Sequence, residues 1–151
     1  MDRLCGQMEY RLGKMLSFLN QLSVTIELIA DEVDNSYLKN ALCAVATESD
    51  QYAMELNTQL KRIEITPSYS VVIDLEEELG TYYILNSPKG KGLEVLSICE
   101  RCETFFIQLY TELLNGYLPD ASLKNMINYQ LIGIRSAFMR IRLLNSLRFQ
   151  N

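Results

Sequence analysis

At 151 residues the chain is long enough to bury a sizeable core and short enough to be one domain, expected to span residues 1–151. Hydrophobic residues make up 48% and charged residues 22%, the ordinary range for a globular protein, and a net charge of −5 excludes general nucleic-acid binding, which needs a basic face. There is no histidine, which excludes histidine-dependent nucleophile systems, and there are only three prolines, few enough for long unbroken helices.

The first predicted helix covers residues 7–33. Met8, Leu12, Met15, Leu19, Leu22, Ile26, Ile29 and Val33 recur at spacings of three and four, which places them on one stripe. Asp34-Asn35-Ser36 is a compact stop and restart, with Asn35 or Ser36 able to cap the next helix. That second helix is predicted over 36–63, with Leu38, Leu42, Val45, Tyr52, Leu56, Leu60 and Ile63 on its stripe and Ser49 as the one polar gap. So short a connection implies antiparallel neighbours.

Residues 68–91 break the pattern. Val71 or Val72, Leu75, Leu79, Tyr82 and Tyr83 favour a short helix over about 70–85 with an acidic Glu76-Glu77-Glu78 face. A hairpin of Val71-Val72-Ile73 with Tyr82-Tyr83-Ile84 is the competing reading. Asn86 to Gly92 reads as a loop. The third long helix is predicted over 93–115, with Val95, Cys99, Cys102, Phe106, Leu109 and Leu113 on one stripe and Gly116 as its stop. The last covers 121–148 and is expected to bury Ile127, Leu131, Ile134, Phe138, Ile141 and Leu144. Its charges are all positive, since no Asp or Glu follows Asp120. Two helical hairpins joined by a long connection predict an all-α, ferritin-like antiparallel four-helix bundle with one helix 2–3 crossover.

No apolar run approaches the ~18–20 residues of a membrane span. Met1-Asp2-Arg3-Leu4-Cys5-Gly6 lacks the charged-then-apolar order of a signal peptide. The expectation is a cytoplasmic protein with neither membrane nor nucleic acid as partner, and with Cys5, Cys43, Cys99 and Cys102 reduced. Cys99-x-x-Cys102 has redox-motif spacing without a strand-turn-helix around it, so it reads first as two small apolar residues on a helix face. A zinc site would need two further ligands, of which Cys43 could be one.

Cys99-Glu100-Arg101-Cys102-Glu103, followed by Tyr110, carries a resemblance. With Ala30-Asp31-Glu32-Val33 before Leu38, and Arg140-Ile141-Arg142-Leu143-Leu144 near the end, it resembles a family of small bacterial ferritin-like four-helix-bundle proteins of unassigned function, over about residues 12–149. The family commonly reads Cys-Glu-Arg-Gly-Glu where this chain has Cys102 in place of Gly. Its last-helix Glu and His align with Gly133 and Phe138, and its helix-one Asp-Gly pair with Gln21-Leu22. The metal chemistry of the wider ferritin-like group therefore does not carry over.

A ferritin-like di-iron site takes a Glu from each of two helices and a Glu-x-x-His from each of the others. Here helix one offers Glu27, helix two Glu48 with Gln51 where the His would stand, and helix three Glu100 and Glu103. Helix four offers nothing, so no complete site can be assembled and no cofactor is expected. Glu48, Glu100 and Glu103 remain the candidate metal ligands of the alternative reading. Glu100 and Glu103 flank an apolar seam, and a buried carboxylate needs countercharge. Arg135, at a similar height if the turn centres near Leu118, is the expected ion-pair partner.

The leading functional expectation is a non-catalytic helical protein, with stress among its settings, acting through self-association or a protein partner. A degenerate metal or small-ligand binder is the alternative, and a redox responder through Cys99 and Cys102 the third. A homodimer is expected because apolar residues lie off the main seams: Leu16, Phe18 and Leu28 in helix one, and Ile132, Met139 and Leu143 in helix four.

Overall fold

A computed structural model describes residues 2–75, 77, 92–116 and 118–148. Four long helices account for most of them: α1 Asp2–Asp31, α2 Ser36–Arg62, α3 Gly92–Asn115 and α4 Ala121–Arg148. Among the described residues there is no strand. None of the helices is long and apolar enough to cross a membrane. In the helix packing α1 lies against α2 and α3, and α4 against α2 and α3.

The stripes read from the sequence face inward. All eight apolar residues of the first stripe are buried, as are Val95, Cys99, Cys102, Phe106, Leu109 and Leu113 of α3. They join side chains of α2 and α4 in one core cluster. Each fully buried Leu, Ile or Phe contributes about 1.5–3 kcal/mol of burial free energy. At the centre Phe18 meets the edge of Phe106, and Phe106 stacks on Tyr110 with ring centroids 4.5 Å apart.

The helix ends follow local chemistry. Asn35 caps α2 by accepting from the Leu38 amide at 3.0 Å, so it, not Ser36, is the cap. At the other end Ile65 N–H donates to Leu60 C=O and Glu64 N–H to Lys61 C=O, a Schellman arrangement that puts Glu64 at φ 58°. Asp120 caps α4 through the Ser122 and Leu123 amides, and Arg62 from the end of α2 pairs with it at 3.0 Å. Arg11 donates to the Glu112 carbonyl in the last turn of α3, where a cation suits the helix dipole.

The segment after α2 corrects one expectation. Residues 71–74 are not helical, and helical geometry begins only at Leu75, where Asp74 accepts from the Glu77 amide. The reason lies on α1. Ser68 N–H donates to Glu9 C=O, and a Cβ on Gly13 would lie 2.0 Å from the Ser68 carbonyl oxygen, so the chain crosses α1 where a glycine allows it. Gln21 then donates to the Ile73 carbonyl at 2.8 Å and accepts from the Leu75 amide, while the Ser17 hydroxyl accepts from the Ile73 amide. These side chains of α1 take the backbone groups that a helix would have paired internally. Val71-Val72-Ile73, the first arm of the competing hairpin, is not a strand, and Gly92, expected to close the loop, already opens α3. Glu77 apart, the rest of the expected 70–85 helix, the Tyr82-Tyr83-Ile84 arm and residues 86–91 fall outside the described residues.

Candidate functional site

The acidic candidates do not converge. Glu27 and Glu100 are exposed, whereas Glu48 and Glu103 are half-buried. Among the described residues, no three of the His, Cys, Asp and Glu side chains come close enough to share a metal ion. Glu100 stands on the outer side of α3, in a shallow groove with Ser97, Arg101, Thr104 and Gln108.

Glu103 has the countercharge its burial requires, but from Arg142. Its side chain is only 12% exposed, while that of Arg142 is 44% exposed. Arg135 lies two turns earlier on the same stripe and is itself exposed. The contacts run from Tyr110–Gln130 to Glu103–Arg142, so numbers fall on α3 as they rise on α4. Side chains lean toward the N-terminus of their own helix. Glu103 therefore leans away from the α3–α4 turn and an arginine of α4 leans toward it. The pair closes when the arginine backbone lies farther from the turn than the glutamate backbone. Matching backbone heights alone singles out Arg135, and this lean displaces the contact to Arg142.

A polar network fills the interior between α2, α3 and α4. Gln130, fully buried, is its hub. Its Oε1 accepts from the Tyr110 hydroxyl at 2.5 Å. Its Nε2 donates to the Tyr52 carbonyl at 3.2 Å and to Glu55 at 3.3 Å. The Tyr52 hydroxyl points on to Glu48 at 3.5 Å, a long contact. Gly133 makes room for it: a Cβ there would lie 2.1 Å from that hydroxyl oxygen. Thus the space beside Gly133 is filled from α2 by a phenol.

Burial sets the protonation of this cluster. It pushes the Tyr110 and Tyr52 phenols well above their ordinary range, with nearby carboxylates adding to the effect, so both remain donors. Burial also raises the Glu48 carboxyl, against the opposing pull of the Tyr52 hydrogen bond and the Arg140 charge. Gln130 has its amide oxygen and both amide hydrogens engaged. The hub is thus satisfied internally and leaves no amide donor for a ligand.

Cys99 and Cys102 are buried and free, and Cys43 is half-buried. Burial pushes the Cys99 thiol up to about 12, with Glu100 and Glu103 reinforcing it, and raises Cys102 as well. A thiol held in that form is a poor nucleophile and metal ligand.

Of the apolar residues off the main seams, Leu16 and Phe18 are buried inside the bundle. Leu28, Ile132, Met139 and Leu143 are exposed. Sequence reasoning singles out neither Gln130 nor Glu55, and reads Arg142 as part of a motif without making it the partner of Glu103. Gln130 had a signal, since it sits at stripe spacing between Ile127 and Ile134, where a polar residue must find partners. Comparison with family models, with curated proteins and with solved structures finds no match.

Proposed function

We propose that this chain is a non-catalytic ferritin-like antiparallel bundle that acts through association with protein, its interior serving stability rather than chemistry. The observation that carries the reading is the outward face of α4, where Tyr129, Ile132, Met139 and Leu143 are each more than half exposed. The interior supports it from the other side. Glu103 is taken by Arg142, the Gln130 hub is closed, and the buried thiols are held protonated. The alternative, a metal or small-ligand binder using Glu48, Glu100 and Glu103, gains no support from a set of carboxylates that does not converge.

Native mass spectrometry of untagged protein from its own host tests the reading. The expected result is an assembly heavier than the 17.4 kDa chain that collapses to that mass in Ile132→Asp/Met139→Asp. A 17.4 kDa species alone in both proteins, or a monomer carrying stoichiometric metal lost in Glu103→Ala, overturns it.

A further inference from the structure

Helix α4 carries two apolar stripes. The inner one holds Leu123, Ile127, Ile134, Phe138 and Ile141 in the core. The outer one is Tyr129, Ile132, Met139 and Leu143, with Ser136 between, at spacings of three and four. At about 100° of turn per residue the outer stripe lies nearly opposite the inner one. Its four large side chains are 67%, 67%, 53% and 59% exposed. Single exposed apolar residues are ordinary. A line of them at strict three-four spacing is the narrow seam by which one helix grips another.

The charges beside the seam select the occupant. Lys124 and Arg135 stand exposed on one flank, where Arg142 is already paired with Glu103, and Arg140 stands on the other, with no Asp or Glu anywhere in α4. A second copy on this seam would set basic flank against basic flank whether the helices ran parallel or antiparallel, and like charges held together across an interface oppose pairing. An anionic lipid surface would want a broader apolar face than this single narrow seam. We propose that the outer seam of α4 docks an acidic amphipathic helix of another protein, one whose own apolar seam is flanked by Glu or Asp. The proposal rests on the association reading above and names its partner class.

Two synthetic three-heptad peptides test it, both with Leu and Ile at the seam positions, one flanked throughout by Glu and the other by Lys. Fluorescence anisotropy against the full chain should show the Glu peptide binding at least about tenfold more tightly than the Lys peptide. Added salt should weaken that binding. Ile132→Asp and Arg135→Glu should each weaken it by about tenfold or more while leaving the helical circular dichroism unchanged. Equal binding of the two peptides, or none, overturns the proposal. So does Ile132-dependent binding to phosphatidylserine vesicles in place of the Glu peptide. A native mass of two copies that dissociate in Ile132→Asp also overturns it, yet leaves the association reading standing. No association of any kind removes both.

Discussion

Tyr52 of α2 and Gly133 of α4 share one space: a Cβ on Gly133 would lie 2.1 Å from the Tyr52 hydroxyl oxygen and 3.3 Å from the ring carbon that bears it. Gly133→Ala should therefore destabilise the protein by about 1–3 kcal/mol, although alanine is the better helix former. In a Tyr52→Phe background the same change should cost clearly less, because the severe clash is with the hydroxyl and only the 3.3 Å approach to the ring carbon remains. Urea unfolding of the four proteins measures the coupling. Equal effects in both backgrounds would show that the two positions do not compete.

Arg142 and Arg135 should differ in weight. Glu103 is mostly covered and Arg142 only partly so, placing the pair between a surface bridge and a buried one. Arg142→Leu should cost about 1–2 kcal/mol by leaving a shielded carboxylate unpaired. Arg135→Leu, on an exposed face, should stay within about 0.5 kcal/mol of the parent. The two denaturation midpoints decide the matter, and a larger loss for Arg135→Leu would contradict the observed pairing.

The bundle was legible because its stripes are long. Eight apolar residues repeating from Met8 to Val33 leave one inward face available to α1. The stretch after Pro67 was not legible, because its conformation is decided by Gln21 and Ser17 on another helix and by the gap at Gly13. Local spacing carries no record of such distant partners. The Glu103 countercharge was legible in kind and in stripe, but its height was not, since backbone register ignores side-chain lean. Gln130 was missed because an apolar stripe was counted by its apolar members alone.

The buried thiols predict an alkaline limit. An unfolded Cys99 ionises near 9.0, whereas burial holds the folded thiol protonated up to about 12. Between those values the folded state binds more protons than the unfolded state, so stability falls as pH rises. Unfolding midpoints should drop from pH 8 to pH 10, and Cys99→Ala should make the slope shallower. In the native protein at pH 8, Cys99 and Cys102 should resist iodoacetamide and become reactive only in denaturant, as peptide mass mapping would reveal.

Glu48 predicts an opposite trend to the usual carboxylate. Burial raises its folded value above the ordinary 4.5, so across that window the folded state holds the extra proton and stability falls as pH rises. Glu48→Gln should remove this contribution and flatten the slope upward from about pH 4.5. Thermal melts at half-unit pH steps give the comparison, and a steeper slope in Glu48→Gln would reverse the assignment.

The central claim is that the outer seam of α4 is where this protein meets its partner. A photo-crosslinking residue placed at successive positions from Lys124 to Leu143, in the native host, tests it most directly. The yield of adduct with an acidic partner helix should peak at Tyr129, Ile132, Met139 and Leu143 and fall at the positions between them that face the core. A yield that is uniformly low along α4, or that shows no three-four periodicity, would contradict the claim.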